Sequence, residues 1–379
     1  MFLIVSKAGD IDAHAIAWAL NRIGCEALAL SFGDLRPNIS QLSASEADQV
    51  VKLRWGDKLL DVGKLQASWL RKPPSPLLSS KASPDDSLFE RGNYDETLNM
   101  HLNGVVHSFS KFAPMINQPS HSIIANNKLY QLLGLDTPAL QRPRTYIGSA
   151  KSEILEFFSG RETIVYKPLR HSVWLVNDGA SVCGTSEISL DEISEISDDE
   201  LMPGVFQEFI LKDAEFRVIV FGDQLLSIEQ KPLDEGKHSV DWRFVDKARF
   251  CCKIVNLPAH IREACISLVK SLSLDHASID LAVDQDGVFY FLEANPFGQF
   301  LAYEGELPDS KLLERSVKLV LSKAGQDQNK YNFDRVSVEN FVSDFDEKTI
   351  HASIDNGDHV HDVISRKAIS LSDSFDQSI

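Results

Sequence analysis

The chain has 379 residues, 43% of them apolar and 25% charged, and sets 38 basic against 55 acidic side chains for a formal charge of −17. That length supports two or three packed layers or lobes with cores of their own, and the acidic balance repels phosphate backbones, which excludes a nucleic-acid-coating surface. No apolar run approaches the roughly 18 residues that a membrane-spanning helix needs.

The first elements alternate strand and helix. Phe2–Val5 reads as a buried strand, too short for a signal-peptide core. Asp12–Ile23 has apolar residues three and four apart, as one helical face requires. Gly24 stops that helix and Cys25–Leu30 is a second strand, so the opening βαβ unit predicts a parallel sheet. A further apolar run, Ala67–Leu70, ends in Arg71-Lys72-Pro73-Pro74, where the prolines force an extended exit. Leu77–Ser87, rich in Ser, Pro and Asp, reads as a mobile loop, and Asn99–Phe112 is helical by pattern.

From Asn126 the texture changes. A helix carrying Lys128 precedes the proline-marked stretch Thr137–Pro143, a helix at Ser152–Phe158 and a strand at Thr163–Tyr166 that runs into Lys167-Pro168. Leu190–Leu201 is a solvated helix or loop. Phe206–Ile210, Glu215–Phe221 and Gln224–Glu229 read as strands, the last two joined by the turn dipeptide Gly222-Asp223. Arg262–Leu272 is an amphipathic helix. Ser278–Val283 and Val288–Glu293 form a hairpin with Asp286-Gly287 in its turn. From Tyr331 to Ile379 there are ten acidic and four basic residues, the composition of a loosely ordered acidic tail; Phe333, Phe341 and Phe345 would anchor it if it docks. Five cysteines, Cys25, Cys183, Cys251, Cys252 and Cys265, lack metal-ligand spacing and read as reduced thiols of a cytoplasmic protein.

The segment SIDLAVDQDGVFYFLEANPFGQF, residues 278–300, carries the sharpest chemical signal. Two antiparallel strands bring Asp280 and Glu293 side by side, and Asn295, two residues on, shares the face of Glu293. Two carboxylates buried together are unfavourable unless a cation neutralises them. An all-oxygen set with room for water and phosphate suits Mg²⁺. Positive charge for a polyphosphate is available from Lys128, from Lys167 at the end of its strand, and from Arg217, which alternation places on the face of Glu215 and opposite Phe216 and Val218. Gln207, Glu208, Phe209 and Ile210 form an apolar strand segment whose backbone groups, with Glu208 as acceptor, can meet an adenine edge.

The ordered set Lys128, Lys167, QEFI, EFRVIV with Arg217, and Asp280 followed by Glu293-x-Asn295 resembles the ATP-grasp superfamily over residues ~120–320. The resemblance implies an α/β fold of α+β lobes: a parallel-sheet pre-ATP-grasp domain (1–122), a central lobe with lid and adenine hinge (123–210), a C-terminal lobe with the Mg²⁺ site (211–325) and the acidic tail (326–379). It also implies ATP and two Mg²⁺ ions as cofactors, with Lys128 and Lys167 on the phosphates, Gln207 to Ile210 and Glu215 binding the nucleotide, Arg217 near the transferred phosphoryl group, and Asp280, Glu293 and Asn295 on the metal.

Within that superfamily, WLRKP (69–73), VDWR (240–243) and EANPFGQF (293–300) resemble segments of the graspetide synthetases, the microviridin-type maturases. Their reaction joins Asp or Glu side chains of a ribosomal precursor peptide to Ser, Thr or Lys, and a leader segment of the precursor docks on the enzyme. The charge of −17 suits a basic leader, and such enzymes often form homodimers. Arg243 is then a candidate for the peptide carboxylate or the acyl phosphate, against simple pairing with Asp241 or Asp246. Lys72 stands where a second arginine is usual, and the loop after Lys167 has only Gly179 and Gly184. Two other readings fit parts of the pattern: a ligase that adds an amino acid to a protein or small molecule, and a nucleotide-binding module without catalysis.

Overall fold

The computed structural model describes residues 1–7, 10–31, 43–45, 50–55, 58–73, 88–134, 137–169, 172–176, 179–183, 185–198, 200–232 and 250–344. Arg243 and VDWR, the loop expected at Leu77–Ser87, Phe345 and the rest of the tail lie outside these residues. The chain divides into two compact units, one made of Met1–Ile124, Lys270–Ala277 and the described residues from Pro296 onward, the other of Ala125–Val269 and Ser278–Asn295.

In the first unit four parallel strands lie in the order Ala27–Ser31, Phe2–Ser6, Ala67–Leu70, Met115–Ile116. Phe2–Ser6 is buried throughout, which is why its first four residues are continuously apolar rather than alternating. The helix Leu88–Phe112, longer at its start than the pattern from Asn99 suggests, sets Leu102, Val106 and Phe109 in one core with Leu3, Val5, Leu70 and Met115. The helix Ile11–Arg22 runs beside Leu312–Lys323, which also contacts Ala67–Leu70. Three further strands, Ser43–Ser45, Val50–Trp55 and Lys58–Asp61, form an antiparallel sheet.

Two of the motif segments meet in this unit. The fully buried Arg71 donates through Nη2 to Asp12 (2.9 Å) and to the carbonyl of Gly298 (3.1 Å), and Asp12 also accepts from the Phe300 N–H (3.2 Å). The guanidinium lies over the rings of Trp69 and Phe300, at 5.4 and 4.9 Å from their centroids. Burial works to raise the Asp10 carboxyl, but Arg71 and Lys72 outweigh it and hold the group below its ordinary value. Asn117, at φ 55°, accepts from the N–H groups of Asp275 and His276 and donates to the His276 carbonyl.

The last described residues of this unit are packed. Residues 326–344, assigned by composition to the acidic tail, include the helix Val338–Asp344, whose buried Phe341 meets the Trp18 ring edge-on at 5.6 Å. Asp344 pairs with Arg22 at 3.2 Å.

The second unit contains a four-stranded antiparallel sheet, a five-stranded sheet and a separate hairpin, Ser172–Val176 with Gly179–Cys183. The smaller sheet has the order Ser186–Ser189, Thr163–Pro168, Gly204–Glu208, Thr145–Gly148. Ile164 and Phe206 share a core with Ile154, Phe158 and Ile193, which belong to or follow the helices Lys151–Phe157 and Leu190–Glu195. The polar run Leu190–Leu201 thus holds a short helix, started by a capping box between Ser189 and Glu192. The five-stranded sheet has the order Phe250–Val255, Gln224–Pro232, Lys212–Phe221, His276–Asp284, Phe289–Asn295. Its two hairpin turns use Gly222 and Gly287 at positive φ.

Candidate active site

Register explains which side chains share a face. In the smaller sheet Lys167 pairs with Val205 and Gln207 with Val165, whereas Tyr166 pairs with Phe206. Tyr166 and Phe206 belong to the core cluster, so Lys167 and Gln207 look the other way. Gln207 donates to the Thr145 hydroxyl at 2.9 Å.

The Glu208 side chain has protein partners. Alternation turns its side chain away from Gln207, and its two oxygens accept from Arg161 (2.9 Å) and from the Arg144 N–H (2.8 Å). The strand ends at Glu208, so Phe209 and Ile210 lie beyond the ladder.

In the five-stranded sheet Asp280 stands directly opposite Glu293, and Ser278 opposite Asn295. This pairing depends on an irregularity that simple alternation does not reveal. Leu281 pairs with Phe291 and Asp280 with Glu293, which leaves Leu292 as an extra residue, a β-bulge. Phe291 therefore shares the buried face of Leu281, and Glu293 emerges on the face of Asp280. Without the bulge Phe291 and Glu293 would point the same way.

Cations border these carboxylates. Arg217 donates through Nη1 to Asp280 Oδ1 in a short ion pair. Lys128 Nζ, on the first residue of the helix Lys128–Gly134, lies 3.7 Å from Glu293 Oε2. Burial pushes the Lys167 ammonium down to about 8; Lys128 and Lys212 add to the shift, while Glu293 and Glu215 oppose it. Burial likewise pushes the Asp280 carboxyl up to about 6, against the pull of Arg217 and with help from Glu293 and Glu215. The structure thus brings together Lys128, Lys167, Glu215, Arg217, Asp280 and Glu293, with Asn295 on the same strand face.

It adds Lys212, which pairs with Glu215 and which the sequence pattern did not single out. A lysine three residues before a glutamate in the same strand carries no local signature of that role.

Among the described residues no three His, Cys, Asp or Glu side chains cluster as a metal site. The donor set is instead two facing carboxylates and an amide, all oxygen, and such a set fits a hard cation that keeps water and phosphate oxygens as its remaining ligands. The raised Asp280 carboxyl points the same way: burial and the neighbouring carboxylates disfavour its charge until a cation arrives.

No family model and no curated protein matches the sequence. Solved structures do match. A macrocyclase, MdnC from Microcystis aeruginosa MRC, bound with precursor peptide MdnA, superposes with a TM-score of 0.70 at 19% identity, covering 85% of this chain and 100% of that one. A RiPP-associated ATP-grasp ligase from Chryseobacterium gregarium, in complex with ADP and a leader and core peptide, gives 0.73 at 21% identity over 87% and 98% of the two chains. The ATP-grasp ligase PsnB, complexed with a minimal precursor, gives 0.64 at 17% over 85% and 99%. With sheets of this order and these neighbours, the chain has the ATP-grasp fold.

Proposed function

We propose that the protein is an ATP- and Mg²⁺-dependent ligase that activates Asp or Glu side chains of a ribosomal precursor peptide and joins them to Ser, Thr or Lys of the same peptide. The observation that carries this reading is the single sheet face on which Asp280, Glu293 and Asn295 stand with Arg217, bordered by Lys128 and Lys167. Structural neighbours complexed with precursor peptides, ADP and Mg support the choice of substrate and cofactors.

In this reading Lys128 and Lys167 neutralise the nucleotide phosphates, and the backbone of Phe209 and Ile210 meets the adenine edge. A substrate carboxylate oxygen attacks the γ-phosphorus and ADP leaves, giving an acyl phosphate. A hydroxyl or amine then attacks the acyl carbon, inorganic phosphate leaves and the nucleophile's proton is released. Arg217 offsets charge on the transferring phosphoryl group. Asp280, Glu293 and Asn295 would hold Mg²⁺, which when bound neutralises the phosphate oxygens.

Incubation of the full chain with ATP, Mg²⁺ and a peptide rich in Thr, Ser, Asp and Glu encoded beside it tests the proposal. ADP release and loss of one water mass per linkage are expected, and both should disappear in Glu293→Gln. A gain in mass would point instead to ligation of a separate amino acid, and undiminished turnover in Glu293→Gln would sink the metal assignment.

A further inference from the structure

Gln131 lies on the helix Lys128–Gly134, three residues after Lys128, and is 3% exposed. Its amide makes three hydrogen bonds. Oε1 accepts from the Ala294 N–H at 3.0 Å, and Nε2 donates to the Ala294 carbonyl at 2.6 Å and to the Ala125 carbonyl at 2.5 Å. The first two make the side chain act as a peptide group of one more strand, because Ala294 sits on the outer strand of its sheet and turns both backbone groups outward.

Ala294 is also the residue between Glu293 and Asn295. One side chain therefore pins the two oxygen donors at their shared peptide, from a helix whose first residue reaches Glu293 at 3.7 Å. The helix start is fixed in turn by Asn127, whose side chain accepts from the Tyr130 N–H at 3.0 Å. Two flexible groups, a lysine and a glutamate, are in this way referred to one rigid element.

We infer that Gln131 is a positioning residue which sets Lys128 against the Glu293–Asn295 strand end, so that phosphate-facing and cation-facing groups keep one geometry. The inference rests on the ligase reading above. A polar residue that merely fills the core would contribute stability, and its removal would add independently to the loss of Lys128. A positioning residue acts through Lys128, and its effect vanishes once Lys128 is gone.

The test is a double-mutant cycle on the full chain with Gln131→Met, Lys128→Ala and the double variant. ADP binding with Mg²⁺ is read by calorimetry, and the melting temperature of each variant is recorded. Each single change should weaken ADP binding about tenfold, or about 1.4 kcal/mol, and the double variant should match Lys128→Ala within about twofold. Leu133→Ala, at a position 78% exposed on the same helix, should bind as the parent does. Additive losses in the double variant, or unchanged ADP binding in folded Gln131→Met, would overturn the positioning role. If Gln131→Met does not fold, Gln131→Glu, which keeps the acceptor for the Ala294 N–H, carries the same cycle with the same two outcomes. Failure of the parent protein to bind ADP would overturn the ligase reading itself, a result distinct from additivity.

Discussion

Glu304 joins two helices that start far apart in the chain. It is 4% exposed, and its oxygens accept from the N–H groups of Leu313 (2.7 Å) and Val338 (2.8 Å). These donors belong to the first turns of Leu312–Lys323 and Val338–Asp344, where backbone N–H groups have no partner within the helix. Glu304→Ala leaves the buried Leu313 donor unsatisfied, at about 1–3 kcal/mol, and removes a cap from the second helix, at about 1 kcal/mol. The expected loss is therefore about 2–4 kcal/mol, measured by denaturant unfolding, with faster amide exchange over residues 338–344. A pH series adds a second readout. Burial pushes the Glu304 carboxyl up, against the N–H bonds from Leu313, Val338 and Leu312. The folded chain then keeps a proton that the unfolded chain has released, so stability falls as pH rises from about 4.3 through the folded value. Glu304→Gln cannot titrate, and the advantage of the parent over it should shrink across that window. A loss below about 0.5 kcal/mol in Glu304→Ala, a size typical of featureless surface sites, or parallel pH curves for parent and Glu304→Gln, would refute the reasoning.

Phe341→Ala should cost about 3 kcal/mol through the emptied site and change Trp18 fluorescence, since the two rings lie 5.6 Å apart. Lys167, held down to about 8 by burial, loses its charge as pH rises past that value, so kcat/KM for ATP should fall on the alkaline side; Lys167→Arg should abolish that limb. Asn117→Ala should lose about 3 kcal/mol, because the bonds to Asp275 and His276 disappear and alanine is strained at φ 55°; Asn117→Gly should recover the backbone part, about 1 kcal/mol, in the same unfolding assay. Gly204→Ala would place a Cβ 2.2 Å from the Tyr166 ring and should lower the melting temperature sharply, with partial recovery in combination with Tyr166→Leu.

Much of the fold was legible because burial and periodicity coincide. Phe2–Ser6 and Ala67–Leu70 are buried on both faces and are apolar except at Ser6 and Ser68, and Gly222 and Gly287 mark turns that need positive φ. The five cationic and carboxylate groups Lys128, Lys167, Arg217, Asp280 and Glu293 could be named from residue type and element position. What sequence did not reveal were contacts made across long separations. Glu304 and Val338 are linked by one hydrogen bond, and nothing in the serine-rich composition after Tyr331 signals it. Arg71 meets Gly298 across 227 residues, so the two motif segments looked independent. Arg161, the partner of the Glu208 carboxylate 47 residues away in sequence, was likewise not in view.

The run Phe289-Tyr290-Phe291-Leu292-Glu293-Ala294-Asn295 shows why the carboxylate face needs a defect in its strand. Phe289 packs its ring 5.5 Å from Phe216, and Phe291 is fully buried, so the first half commits odd positions to the core. Glu293 and Asn295 are odd as well and would follow them inward, where an ionised carboxylate is costly. The extra residue Leu292 reverses the phase: Ala294 now faces the core beside Ile279, and Glu293 opposes Asp280. A bulge disrupts the ladder and leaves one residue unpaired, a disturbance most easily accommodated on an outer strand, which is where this one lies. The first outward-facing peptide after the bulge is that of Ala294, and Gln131 bonds both of its polar groups. Four consecutive apolar residues before Glu293 are thus what a strand must carry when it serves a core in its first half and a charged face in its second.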